Sequence, residues 1–254
     1  MRVAAVALAC LALVLPGCLK GVGLGGSDEP GPADYVSGAK YTKWVIEMDV
    51  TQGADPPSAA LTLLKSRLEG VVNKPGGIEI RRDETLPARG GTWTQDDVLT
   101  TAERTKDILT GGDTVTLHLL FLDGQYATNN VLGVTYFQKT ESGRVVSSGP
   151  IAIFSDVIQE TACPPPLGLC VNEDAIWQAV LVHEFGHAMG LVDTGAPMQR
   201  DHEDDAHAGH SSNRNSVMYY AVETIDIVNV FQGGPPTTYD ADDKADLCAL
   251  GGKC

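Results

Sequence analysis

Basic residues are scarce in this 254-residue chain, where 18 Lys and Arg stand against 33 Asp and Glu for a formal charge of −15. That balance repels a phosphate backbone or an anionic lipid surface, which excludes nucleic-acid binding and charge-driven membrane adhesion. Long apolar runs are missing too: the stretch from Val3 to Leu15 is too short to cross a bilayer as a stable helix. Cysteines number six and no two stand as C-x-x-C, the spacing of a thiolate metal clip. Two acidic clusters, Asp201-Glu203-Asp204-Asp205 and Asp240-Asp242-Asp243-Asp246, lack the spacing of an EF-hand loop and read as solvated loop or helix-start charge. A literal G-x-G-x-x-G (Gly21, Gly23, Gly26) has no strand ahead of it, so it is no dinucleotide site.

The N-terminal pattern points to export. Met1-Arg2, a brief apolar core and the small residues before Cys18 describe a secretory signal. Leu15-Pro16-Gly17-Cys18 resembles a bacterial lipoprotein signal, which implies lipidation of Cys18 and a membrane-anchored protein of the cell envelope, at the outer membrane or cell surface. The division expected is residues 1–17 as signal, 18–40 as a flexible Gly/Pro-rich tether, and 41–254 as one catalytic domain. In an oxidising compartment Cys163, Cys170, Cys248 and Cys254 suggest two disulfides. Of the three connectivities, Cys163–Cys170 and Cys248–Cys254 are the simplest.

Chemistry concentrates in His183-Glu184-Phe185-Gly186-His187. Four residues apart on a helix, His183 and His187 share a face and can bind one metal ion. Glu184 is then placed beside the metal without ligating it, where it can take a proton from water. Asn172 or Asp174 can cap the helix, Ile176, Val180, Leu181 and Phe185 give it apolar spacing, and Gly190 lets it end in a left-handed turn. Two histidines on an ordinary amphipathic helix would match H-E-x-x-H alone, but Gly190 and Ser216-Val217-Met218-Tyr219-Tyr220 add to it.

With those residues the chain resembles the metzincins, whose signature is H-E-x-x-H-x-x-G-x-x-H followed by a methionine turn. His183, Glu184, His187, Gly190 and Met218 match, whereas position 193 is Asp. Asp193 itself is one candidate third ligand, as in snapalysin-like metzincins. The other is His210, since Gly209 to Met218 resembles an archaemetzincin segment with Ser211 and Ser216 in place of cysteines. His210 is favoured, because imidazole suits zinc and the register to Met218 is intact. With those cysteines replaced, no second, structural zinc is expected. His202 and His207, in the same acidic segment, are equally well read as solvated.

The resemblance implies a zinc endopeptidase with one catalytic Zn2+, acting on protein or peptide substrates, with Glu184 as general base. Tyr220, two after Met218, matches the position of an oxyanion-binding tyrosine in some metzincins, and Tyr219 matches a structural tyrosine in others. A monomeric state is expected. A rival reading is a zinc-binding or adhesion lipoprotein without turnover, which the acidic, His-rich segment favours and the intact Glu184 disfavours.

Patterning orders the remaining elements. Strands are expected at Lys43 to Val50, Ile78 to Arg82, Thr114 to Leu122, Val131 to Gln138 and Pro150 to Ser155. Helices are expected at Pro57 to Val72, Thr94 to Leu109 and Asp240 to Leu250. His118, within an apolar strand, reads as a packed, hydrogen-bonded histidine. This order fits an α+β, metzincin-like zincin, a twisted mixed sheet over the active-site helix with a smaller C-terminal subdomain. On the export reading, Cys18→Ser abolishes lipid labelling and frees the protein from the membrane fraction; unchanged attachment would contradict it.

Overall fold

Strand alternation decides which way the sheet faces. In β1 (Lys43–Thr51), Trp44, Ile46, Met48 and Val50 fall on one side and are buried. The other side carries Glu47 and Asp49, which are also buried and therefore need polar partners. The computed structural model describes residues 29–141, 143, 145–163, 172–231 and 234–254. The expected signal, the tether up to residue 28 with Cys18, and Cys170 lie outside the described residues.

A five-stranded sheet runs in the order β2-β1-β4-β7-β6, with β2 at Ile78–Leu86, β4 at Thr114–Leu122, β6 at Gly133–Lys139 and β7 at Val145–Phe154. Neighbours are parallel except β6, which lies antiparallel to β7 at the edge. Parallel neighbours need a crossover. The one between β1 and β2 is helix α2 (Ser58–Val71), which buries Ala60, Leu64, Leu68 and Val71 along one stripe. Between β2 and β4 lie a short strand β3 (Thr92–Trp93), paired with β5 (Gln125–Tyr126), and helix α3 (Gln95–Thr105).

The long helix α5 (Glu173–Ala188) covers the Trp44 face of the sheet: Phe185 meets Trp44, and Trp177 meets Phe121 of β4, each at 5.8 Å between ring centroids. Asn172 caps it, its side-chain oxygen accepting from the Ala175 amide at 3.2 Å. The chain beyond α5 forms a hairpin of β8 (Glu203–Asp204) and β9 (His207–Ser211). A 3-10 turn at Tyr220–Glu223 follows, then α6 (Ile227–Val230) and α7 (Ala241–Ala249). The result is a mixed α/β fold built on a mixed sheet.

Several boundaries differ from expectation, each for a tertiary reason. α3 ends at Thr105 because the next free amides, of Asp107 and Ile108, donate to the Glu47 carboxylate at 2.5 and 3.0 Å. β2 continues to Leu86, where it still pairs with Thr51. β7 starts at Val145, and Ser155 opens a further helix, α4 (Ser155–Ala162).

The stretch read as tether holds helix α1 (Pro32–Val36), with Tyr35 and Val36 buried. The Lys74 ammonium binds the carbonyls of Asp34, Ser37 and Tyr41 at 2.5, 2.5 and 2.9 Å, so the folded body starts ahead of Tyr41. The second acidic cluster is also not simply solvated. Asp240 caps α7, but Asp243 and Asp246 are fully buried. Cys248 and Cys254 are disulfide-bonded.

Gly186 sits inside α5, where a Cβ would come within 2.2 Å of the Met218 Sδ. Helix propensity alone would make Gly186→Ala stabilising by about 0.8–1 kcal/mol. Overpacking of this contact, about 1–3 kcal/mol, opposes and exceeds that gain. Denaturant unfolding of Gly186→Ala is expected at a lower midpoint; an unchanged or raised midpoint would contradict the close approach.

Candidate metal centre

Helix spacing places His183, Glu184 and His187 on one buried turn of α5, exposed by 0, 0 and 6 %. His183 Nδ1 donates to the Val217 carbonyl at 2.6 Å, which leaves its Nε2 lone pair for the inner side. That Nε2 lies 3.0 Å from His187 Nε2. Burial pulls the pKa of both imidazoles down; at His187 the charges of His183 and His210 add to it, whereas at His183 hydrogen bonds to Glu223 and Val217 work against it. An inward ring nitrogen freed by a bond at the opposite nitrogen, as His183 presents, is what a metal ion needs.

After α5 the chain turns sharply. Gly190 takes φ 86°, and a Cβ there would sit 2.6 Å from the Ala196 amide nitrogen. Val192 and Asp193 continue the left-handed turn at φ 52° and 58°. The β8–β9 hairpin then brings His210 back against the helix. Its ring stacks on His183 at 5.2 Å and 16°, and meets His187 edge-on at 5.0 Å.

The two third-ligand candidates are thereby separated. His210 is buried beside His183 and His187, and with Glu223 these residues offer donor atoms all within 4.8 Å of one another. Asp193 is exposed and does not belong to that group. Glu223 escaped the sequence reading. It stands five residues after Met218, in no motif, and only the 3-10 turn brings it to the histidines.

Glu184 is held from the sheet side. The Thr135 hydroxyl lies 2.7 Å from its Oε2 and 3.0 Å from its main-chain oxygen. Gly133 packs so tightly on it that a Cβ would come within 2.8 Å of the Glu184 Cγ and Oε1. Burial, then the charge of Glu223, pushes the Glu184 pKa well above the usual carboxylate range, against the Thr135 hydrogen bond. Oε1 is buried and has no hydrogen-bond partner among the described residues.

Met218 is fully buried under α5 at Gly186. Its amide donates to the Ser216 hydroxyl at 2.9 Å, and its carbonyl accepts from the Ser211 amide at 2.8 Å. The Tyr220 ring lies flat on His207, with centroids 3.6 Å apart, and beside Tyr219 at 4.8 Å. His207 also pairs with Asp204 at 2.8 Å. His202 is buried and binds Asp246 at 2.9 Å, so it is neither solvated nor part of the histidine group.

A second group, Glu47, Asp49 and His118, brings its donor atoms equally close. Its oxygens are already engaged. The Glu47 carboxylate takes two backbone amides, and Asp49 takes the Glu84 amide at 2.9 Å and His118 Nε2 at 2.8 Å. This is a structural network, and His118 is the packed, hydrogen-bonded histidine expected.

The first group fits a zinc ion by its donors: three imidazole nitrogens and a carboxylate. Ligands 2.0–2.1 Å from one tetrahedral ion lie about 3.3 Å apart. His183 and His187 stand close to that separation.

No protein-family profile and no curated protein sequence matches the chain. Among solved structures, it is similar to archaemetzincin from Methanopyrus kandleri, at TM-score 0.48 and 18 % identity over 82 % of this chain and 96 % of that one. It is also similar to metalloproteinase-II from Bacteroides fragilis, at TM-score 0.42 and 14 % identity over 84 % of this chain and 54 % of that one.

The geometry ranks the ligand candidates. After dialysis against metal-free buffer, His210→Ala is expected to lose most of its zinc, whereas Asp193→Ala keeps one ion per chain. The reverse order in metal analysis would restore Asp193 as ligand.

Proposed function

We propose that this chain is a zinc-dependent endopeptidase of metzincin type, with His183, His187 and His210 as metal ligands and Glu184 as general base. The observation that carries the proposal is the convergence of three buried imidazoles on one point beside a buried glutamate with a raised pKa. Zinc bound there would supply an acidified water and polarise the scissile carbonyl.

The rest of the chemistry belongs to the chain. Glu184 accepts the proton of the attacking water and returns it to the leaving amine, a task served by a buried carboxyl whose proton affinity is raised above that of an ordinary carboxylate. Thr135 and Gly133 fix its rotamer and keep it from reaching the metal as a ligand. Val217 fixes the tautomer of His183. Tyr220, packed on His207, is the candidate to steady the oxyanion once substrate is bound. Action on protein or peptide substrates outside the cytoplasm, by a monomer anchored through Cys18, completes the proposal and rests on the sequence.

Glu184→Gln tests the assignment. It is expected to lower peptide cleavage by roughly 10²-fold or more while zinc content stays at the wild-type level. Loss of the metal, or retention of full activity, would show that Glu184 has another role.

A further inference from the structure

We propose that Glu223 is a fourth protein ligand of the metal, closing the coordination sphere that His183, His187 and His210 leave open. The proposal rests on the zinc-site reading above and adds a resting state to it. Glu223 Oε1 lies 3.3 Å from His210 Nε2, and Oε2 lies 3.6 and 3.9 Å from the Nε2 atoms of His183 and His187. Together with the 3.0 Å gap between the two helix histidines, these separations bracket the edge of about 3.3 Å expected of a tetrahedral zinc site.

An ordinary ion pair explains this arrangement poorly. A carboxylate paired with one histidine would approach one ring and leave the others. Here it faces all three. His183 Nδ1 is committed to the Val217 carbonyl, so Nε2 is the ring nitrogen turned toward Glu223. One carboxylate set 3.3 to 3.9 Å from three inward ring nitrogens is the donor arrangement of a cation site.

Glu223 is also held in place by its backbone. Its carbonyl accepts from the Leu132 amide at 2.9 Å, and the next residue, Thr224, bridges Val131. That attachment ties it to the segment that leads into Gly133, which packs on Glu184. The carboxylate is thus presented to the histidines by a fixed wall, with a fifth of the side chain still exposed on its outer side. Four protein ligands leave no position for water or a carbonyl oxygen. Turnover therefore requires the Glu223 side chain to withdraw, and an exogenous ligand must compete with it.

The test is spectroscopic. Cobalt(II) replaces zinc in the full chain, and the visible spectrum is titrated with azide for wild type, Glu223→Gln and Glu223→Ala. In both variants azide is expected to bind about tenfold more tightly or better, because a position has been freed. Competition with a chelator is expected to show about tenfold weaker zinc retention in both. Glu223→Gln preserves shape, so it separates ligation from a packing defect in Glu223→Ala. Identical azide affinity and zinc retention in wild type and Glu223→Gln would overturn the assignment while leaving the three-histidine site standing. A wild-type chain that takes up no cobalt would overturn both.

Discussion

The desolvation of one helical turn governs the arrangement around it. His183, Glu184 and His187 are removed from water on α5, and an ionisable group so placed costs several kcal/mol unless it is neutralised or finds partners. The helix backbone is already bonded to itself, so the partners come from elsewhere. Val217 supplies a carbonyl, Thr135 a hydroxyl, and His210 with Glu223 close the inner side. Three segments distant in sequence are thus drawn to a single point. Close approach is possible only where side chains are absent, which is why Gly186 faces Met218 and Gly133 faces Glu184.

What could be read from the sequence follows from how local each signal is. The α5 motif is confined to five residues with a helical period, and its cap and left-handed stop lie within a dozen residues on either side. β1 and β4 are alternating or continuous apolar runs with sharp ends, and both were legible to within a residue. α1 was not, because a Pro/Gly/Ser-rich composition conceals Tyr35 and Val36, which are ordered by Lys74 roughly forty positions away. The end of α3 was hidden for the same reason, being set by Glu47 about sixty positions upstream.

The candidate third ligand shows the limit of spacing. A pattern written as G-x-x-[HD] treats the turn after Gly190 as fixed, yet Val192 and Asp193 extend the left-handed turn and Asp193 ends up exposed. His210 reaches the site through a two-stranded hairpin whose strands are too short to leave a periodic trace. Glu223 carries no local signal at all. Its position depends on a main-chain bond to Leu132, and that contact exists only in the folded chain.

The strongly acidic composition acquires a different meaning once the buried carboxylates are separated from the solvated ones. Four carboxylates, three of them buried and Glu223 partly so, lie against the histidine group or the wall behind it, and each is accommodated in its own way. Glu184 is pushed toward its protonated form by burial and by Glu223. Burial would raise Glu223 too, but the imidazoles of His210 and His183 outweigh it and hold its pKa well down. Asp246 is matched by His202 and by the Gln199 amide at 2.6 Å. Asp243 is raised by burial to about 6, against a 2.5 Å bond from the Ser216 hydroxyl. That same hydroxyl receives the Met218 amide, so α7 braces the turn on which Met218 meets Gly186. A chain of short contacts therefore runs from the C-terminal helix to the histidine-bearing turn. The placement of His183 and His187 thus depends on Asp243 and Ser216, which carry no metal-ligand spacing of their own.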